Sequence, residues 1–156
     1  MNKQHKYQTQ LKWTGNIGSG TMDYRAYDRS YVISIDHKAD LLGSSDPQFL
    51  GDLNKHNPED MLVSSLSSCH MLWYLHLCSQ QGIIVLEYTD QAIGTMTENA
   101  DGSGQFTEVM LHPIVVISDE TLIQKANMLH ENANKMCFIA RSCNFPVRHQ
   151  AECKSQ

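Results

Sequence analysis

The alternation of apolar and polar positions predicts a pair of strands at the start of the chain. Residues 7–13 place aromatic, aliphatic or threonine side chains at every second position, with a period of two that is typical of a half-buried strand. A glycine-rich turn follows over 15–20. Residues 22–35 then carry the aromatic and β-branched content of a second strand, in a spacing that slips from strict alternation. The two segments are predicted to form a hairpin.

A long amphipathic helix is predicted to begin just after residue 57. Asn57 can accept hydrogen bonds from the free backbone donors, Pro58 suits the first helical position, and Glu59 with Asp60 favours the positive end of the helix dipole. Apolar residues then recur at steps of three and four until Gly82 ends the helix. They are Met61, Leu62, Leu66, Cys69, Trp73 and Leu77. The pattern indicates a largely buried, central helix.

The second half of the chain continues with strands and shorter helices. The predicted elements are a strand over 83–98, a turn over 99–104, a strand over 106–117, a helix from 120 to 135, a short helical piece that begins at Cys137, and a strand over 147–152. This order indicates an α+β fold with mostly antiparallel sheets around the central buried helix. The length of 156 residues suits one domain over 1–156.

Residues 37–56 form a long, polar and turn-rich segment. Loops of this length in a compact domain are often functional, but a surface insertion has the same composition. The sequence leaves both interpretations open.

The amino-acid composition limits which partners the protein is expected to bind and in which cellular compartment it is expected to occur. A hydrophobic fraction of 41% and a net charge of -5 are ordinary for a globular protein and give no reason to expect nucleic acid or an anionic membrane as a partner. No apolar window approaches the roughly 18 residues of a membrane span, and the first ten residues lack a secretory signal. Five cysteines without a Cys-x-x-Cys pair indicate free thiols and a cytoplasmic protein.

Two cysteines are candidates for chemistry, which requires the thiolate. Cys69 lies about three turns into its helix, where the dipole has faded, so its activation needs a side chain from elsewhere, and an arginine is the natural candidate. Taken alone, Cys69 is more typical of a small buried hydrophobe. Cys137 begins a short helical piece, where backbone donors lower the pKa of a thiol. The other cysteines are expected to be structural: Cys78, Cys143 and Cys153.

A metal site is a further alternative for the same region. His70, His76 and His130 are the candidate ligands, with Cys69 and Cys137. The two helical histidines are six residues apart, and no pair has the i, i+4 spacing of a helical metal site. No metal is expected.

The segment Asn57-Pro58-Glu59, followed by Cys69 ten residues after the glutamate and by Cys137 beyond a further helix, resembles the OsmC/Ohr family of osmotically inducible and organic hydroperoxide resistance proteins. The resemblance covers nearly the whole chain, and the segments 67–76 and 137–142 are similar to one subgroup. It implies an OsmC-like fold and an intertwined homodimer.

The resemblance also implies a mechanism without metal, flavin or haem. Cys69 would attack an organic hydroperoxide and become a sulfenic acid, Cys137 would resolve it as a disulfide, and an external dithiol would reduce the disulfide. Glu59 would hold an arginine against the Cys69 thiolate. Arg29 is preferred for that role, and Arg25 is the alternative, because strand alternation puts both on one face.

Two features depart from the family pattern. The second cysteine of the family is often followed by proline, whereas Phe138-Ile139-Ala140 follows Cys137 here. Glu59 and Cys69 are about 15 Å apart along one helix, so an arginine that bridges them needs a bent helix start or must come from a partner chain.

Two rival functions follow from the same residues. One is a redox-sensing or small-molecule-binding protein that oxidises once without turnover. The other is a structural dimer whose thiols are buried and inert.

Overall fold

The computed structural model describes residues 3–156 and has the α+β class that the order of elements predicted. Its α-helices are α1 (Pro58–Gln80) and α2 (Ile123–Met136). The strands are β1 (Gln10–Trp13), β2 (Tyr31–Ser34), β3 (Leu41–Gly43), β4 (Val85–Asp90), β5 (Ile93–Glu98), β6 (Gly104–Leu111), β7 (Pro113–Ile117), β8 (Val147–His149) and β9 (Glu152–Ser155). The chain forms two compact units, one that ends at Met61 and one over Leu62–Gln156.

The first unit is built on the sheet β1-β2-β3. Strands β1 and β2 pair antiparallel, which confirms the predicted hairpin. The predicted second strand was too long, because residues 22–27 form turns and bends and residues 28–30 are irregular. The carboxylate of Asp23 accepts from the Arg25 amide at 2.7 Å, and that of Asp28 accepts from the Ser30 amide at 2.7 Å. Such aspartate turns compete with a strand for the backbone.

Part of the polar segment 37–56 is ordered as secondary structure that the sequence pattern did not reveal. Strand β3 pairs antiparallel with β2. A Cβ atom at Gly43 would lie 2.3 Å from the Tyr31 ring, so this short strand requires glycine where the ring crosses it. A 3-10 turn over Pro47–Phe49 follows, capped by the side chain of Asp46.

Helix α1 begins and ends as predicted. The side-chain oxygen of Asn57 accepts from the Asp60 amide at 2.7 Å, and Pro58 is the first helical residue. Gly82 follows the last turn with φ of +69°, a conformation that favours glycine.

The buried stripe of α1 differs from the predicted one. The buried residues recur every fourth position: Leu66, His70, Tyr74 and Cys78. Leu72 is 62% exposed, and Cys69 is only half-buried. Apolarity alone predicted the stripe wrongly, because the buried His70 and Tyr74 find hydrogen-bonding and stacking partners on other elements.

The second unit has two sheets, β4-β7-β9 and β5-β6-β8. Each of the three predicted strands over 83–98, 106–117 and 147–152 is in fact two strands, one in each sheet. Asp90 ends β4, and its carboxylate accepts from the amide of His112, between β6 and β7, at 2.7 Å. The chain therefore changes sheet where this side chain replaces a ladder hydrogen bond. The last two strands pair parallel with β6 and β7.

The core of the second unit lies on both sides of α1. Leu66 packs with Val109 and Leu111 of β6. Tyr74 packs with strand β7 and with α2, whose buried face contains Ala126, Leu129 and Ala133. Within the described residues 3–156, no helix is long and apolar enough to cross a membrane.

Replacing the helix cap tests the start of α1. We expect Asn57→Ala to lower the free energy of unfolding by about 1 kcal/mol, because the Asp60 amide loses its partner. Asn57→Ser is the matched control, since serine caps equally well, and it should keep most of the stability. Urea denaturation measures both, and equal midpoints for the alanine variant and the unaltered protein would contradict the assignment.

Candidate active site

The tertiary structure brings Cys69 and Cys137 together. Cys69 is half-buried on α1, and Cys137 is the C-terminal cap of α2, with 1% of its surface exposed. The Cys69 thiol is near enough to the Cys137 thiol to raise its pKa. Both thiols are free, so the pair is a reduced dithiol.

The pKa of Cys137 is raised to about 11, chiefly by burial and then by the hydrogen bond with Cys69. The backbone amides of Ala140, at 3.4 Å from its sulfur, and of Ile139 act in the opposite direction. The prediction that a helix start would lower this pKa is therefore wrong. The helical piece is a single 3-10 turn over Ala140–Ser142, and burial outweighs its donors. Cys137 keeps its proton at neutral pH and can donate it to the Cys69 sulfur.

Apolar side chains flank both thiols along the chain. The Trp73 ring, one turn beyond Cys69, meets the Phe138 ring edge to face at 5.6 Å. Phe138 is 66% exposed. These side chains offer an organic molecule an apolar surface next to the dithiol.

Arg29 and Glu59, both in the first unit, do not contact each other in this chain. The Arg29 guanidinium donates to the carbonyl oxygens of Tyr24 and Tyr27 and lies 4.5 and 4.3 Å from the centres of their rings. Among the residues that the structure describes, Glu59 is in none of the ion pairs. Its charge instead raises the pKa of Tyr31, secondary to the effect of burial.

Arg25, the alternative arginine, is exposed, and its backbone amide donates to Asp23. Tyr31 was not a candidate in the sequence analysis. Its hydroxyl is buried and has no hydrogen-bond partner within residues 3–156.

A buried histidine cluster lies between α1 and α2. Nε2 of His70 and Nδ1 of His130 are 3.0 Å apart, and the two rings are within 6° of parallel. Tyr74 stacks on His130 with ring centres 3.9 Å apart. His149 of β8 lies 5.4 Å from His70, and the Cys153 sulfur lies 3.8 Å from Nε2 of His130. In the sequence, His70 and His130 are candidates only for a metal site, and no pattern predicts that their rings pair with each other or with Tyr74, one turn beyond His70.

The cluster holds neutral imidazoles. Burial is the main cause that lowers the pKa of His70 to about 4 and that of His130 to about 3. Nδ1 of His70 is buried and has no partner among the described residues. In the part of the chain that the structure describes, no group of three or more His, Cys, Asp or Glu side chains is arranged to hold a metal ion. The two imidazoles bond to each other instead of converging on one point.

The three other cysteines pack in or against the hydrophobic core. Cys78 and Cys153 are buried, and the Cys153 sulfur shares a hydrogen bond with the Tyr74 hydroxyl at 3.4 Å. Burial raises the pKa of each, and also that of the half-buried Cys143. A raised pKa makes a thiol a poorer nucleophile, so these three fit the structural role expected of them.

Comparisons with known proteins identify relatives of this chain. The family model of OsmC-like proteins matches residues 51–152. An OsmC-like protein of unknown function from Vibrio cholerae is 29% identical, with a TM-score of 0.86 over 95% of this chain and 99% of that one. A search of curated proteins finds no match.

Two solved structures share the fold at lower identity. An OsmC-like protein from Mycoplasma pneumoniae is 16% identical, with a TM-score of 0.71 over 97% of this chain and 99% of that one. An organic hydroperoxide resistance protein from Elizabethkingia anophelis, with thiocyanate bound, is 15% identical, with a TM-score of 0.67 over 99% and 100% of the two chains.

Because of the histidine cluster, we expect the stability of the fold to decrease already at pH values above those at which carboxylates titrate. Both imidazoles have a folded-state pKa below the unfolded value near 6.5, so their stability contribution is complete above pH 6.5 and is lost as pH falls toward about 4. We expect the free energy of unfolding to fall by up to about 2.7 kcal/mol per pH unit in this window, which corresponds to two protons.

Urea denaturation at several pH values between 7.5 and 5 measures this slope. His130→Asn keeps a polar atom near the position of Nδ1 but cannot titrate, so it should remove about one proton from the slope. An unchanged slope in that variant would contradict the assignment.

Proposed function

We propose a thiol peroxidase function for this chain, which belongs to the OsmC-like protein family. The substrate would be an organic hydroperoxide and the reductant a dithiol. The observation that carries the proposal is the proximity of Cys69 and Cys137, two thiols 68 positions apart in the sequence whose interaction raises the pKa of Cys137. A reactive dithiol requires this proximity, whereas core packing does not.

The reaction consists of three steps. The Cys69 thiolate attacks one peroxide oxygen, the O–O bond breaks, and the alcohol leaves with a proton, so that Cys69 becomes a sulfenic acid. The Cys137 sulfur then attacks the Cys69 sulfur, and the hydroxyl group leaves as water when the disulfide forms. An external dithiol returns two electrons and two protons and becomes a disulfide itself.

Exposure and protonation support Cys69 as the attacking sulfur. Cys69 is half-buried, whereas Cys137 is fully buried and protonated at neutral pH. The S–H group of Cys137 can donate to the Cys69 thiolate and stabilise it. The same contact leaves Cys137 next to the sulfenic acid once Cys69 is oxidised.

Activation of Cys69 is assigned to Arg29, oriented by Glu59, as the family resemblance implies. A guanidinium fork suits this role better than a mobile ammonium. Because Glu59 has no ion pair within residues 3–156, we propose that the arginine is repositioned, or supplied by a partner chain, in a homodimer. The single domain over 1–156 and a cytoplasmic location remain predictions, and the five free thiols suit a reducing compartment.

The named relatives support this proposal at the level of the family. The Elizabethkingia anophelis protein is described as an organic hydroperoxide resistance protein, and the same is said of a relative from Legionella pneumophila. The Vibrio cholerae relative is described as having unknown function.

A redox sensor is the second candidate, and the raised pKa of Cys137 favours it. A protonated resolving thiol forms the disulfide slowly, which prolongs the oxidised state of Cys69. The two functions differ in turnover, because a sensor oxidises once and stops even when a dithiol reductant is present.

Single cysteine substitutions test the roles of the two thiols. With tert-butyl hydroperoxide and excess dithiothreitol, we expect Cys69→Ser to abolish peroxide consumption. Cys137→Ser should still consume one equivalent in the absence of reductant and should leave a sulfenic acid that dimedone traps. Cys143→Ser is the matched control and should react like the unaltered protein. Undiminished consumption by Cys69→Ser would refute the proposal.

Substituting the two candidate arginines tests the activation of Cys69. We expect Arg29→Met to slow the reaction of Cys69 with peroxide by about tenfold or more, through the loss of a charge-assisted contact. Arg25→Met should stay within about twofold of the unaltered protein by the same reasoning. Stopped-flow kinetics measures both rates, and urea denaturation separates lost activation from the loosened turn at Tyr24 and Tyr27. Equal rates in the two variants would remove Arg29 from the mechanism.

A further inference from the structure

We propose that the His70–His130 pair positions the two thiols by fixing α2 on α1, so that it governs the step in which Cys137 forms the disulfide with Cys69. This inference rests on the proposed function and deepens it. His70 and His130 touch neither sulfur in the structure, so they act as positioning residues.

Two contacts in different directions locate His130 on α1. Its edge bonds to His70, with the nitrogen atoms 3.0 Å apart and the rings within 6° of parallel. Its face stacks on Tyr74, with ring centres 3.9 Å apart and the planes within 13°. The hydrogen bond to His70 fixes the position of the His130 ring within its own plane. The stack on Tyr74 fixes its position perpendicular to that plane. Neither a slide nor a rotation of α2 leaves both contacts intact.

Each thiol belongs to one of the two helices that this contact joins. Cys69 precedes His70 on α1, and Cys137 follows His130 by two turns of α2, about 10 Å along the helix axis. Trp73 of α1 also contacts Phe138, the residue that follows Cys137 at the C-terminal end of α2. A displacement of α2 at His130 therefore reaches the Cys137 sulfur.

Disulfide formation is sensitive to such a displacement. The two sulfur atoms must approach to about 2.05 Å with a narrow range of dihedral angles, so a small error in helix position slows the reaction. Apolar packing is non-directional and leaves a helix free to shift slightly, whereas a buried hydrogen bond specifies one arrangement.

The cost of burying two imidazoles supports a role beyond packing. His70 and His130 are 1% and 0% exposed, and Nδ1 of His70 has no partner among residues 3–156. The Cys153 sulfur lies 3.8 Å from Nε2 of His130, and the charges of Asp90 and Glu131 act on His70 and His149 against the larger effect of burial. An apolar pair of the same size would fill this space without leaving a buried nitrogen unpaired.

The experiment separates the two thiol steps with 4,4′-dithiodipyridine in place of a peroxide. The Cys69 thiolate attacks the reagent and releases one thiopyridone, which leaves a mixed disulfide. Cys137 then attacks the Cys69 sulfur and releases the second thiopyridone with its proton, so that two electrons pass from the cysteine pair to the reagent. Absorbance of thiopyridone resolves the two phases, and peptide mapping confirms the Cys69–Cys137 disulfide. A Cys143→Ser background removes the other thiol that is only half-buried.

We expect His130→Leu to slow the second phase by about tenfold or more and to leave the first within about twofold, as the loss of one buried hydrogen bond predicts. The double substitution His70→Gln and His130→Asn puts amide groups near the two bonded nitrogens and should restore the second phase to within about threefold. His149→Gln, which changes a ring outside the hydrogen bond, should leave both phases unchanged. Equal slowing of both phases in His130→Leu, an unchanged second phase, or no recovery in a folded double variant would overturn the inference.

A measurement on the unaltered protein covers the case in which His130→Leu does not fold. A histidine pair that holds the two sulfurs in position also favours the disulfide at equilibrium, so by linkage the disulfide stabilises the pair. Deuterium exchange at the imidazole C2 position, followed by mass spectrometry, should slow for His70 and His130 by about threefold or more on oxidation and stay constant for His112. Exchange that is unchanged, or that slows equally at His112, would overturn the inference. A protein that fails as a peroxidase still gives both readouts, because neither uses a peroxide.

Discussion

The second unit depends on the contact between α1 and α2. Tyr74 and His70 of α1 meet His130 of α2 by stacking and by a buried hydrogen bond, and Ala126 and Ala133 of α2 are buried in the same core. Strands β7 and β9 pack on the same cluster. The C-terminal end of α2 is held by this contact, and that end carries Cys137.

The surroundings of Cys69 and Cys137 give the two thiols different exposure and protonation. The same burial that brings Cys137 against Cys69 also raises its pKa, so the pair consists of a protonated, enclosed sulfur and a partly exposed one. Neither thiol has these properties because of its place on a helix. The dipole of α1 has faded at Cys69, and the donors of the 3-10 turn at Cys137 are outweighed by burial. The environment of each sulfur is therefore a property of the assembled core.

The strand pattern shows where sequence periodicity reaches its limit. Alternation over 83–98 and over 106–117 correctly indicated extended chain but not that each run changes sheet in the middle. The break depends on a single side chain, Asp90, which takes the amide of His112 out of the ladder. An aspartate in a strand does not reveal which distant amide it will bind. Strand β3 of the first unit was not predicted, because three residues are too few to show an alternating pattern.

Local sequence patterns were enough to predict the α+β class, the start and end of α1, the first hairpin and the two candidate cysteines. These features depend on local chemistry: a cap, a proline, a glycine in the left-handed region, and repeats that match one helix or strand. Long-range packing places Cys69 near Cys137, keeps Cys137 protonated and buries His70 against His130. Each of these depends on groups far apart in the chain, and burial and pairing can reverse what a local pattern predicts.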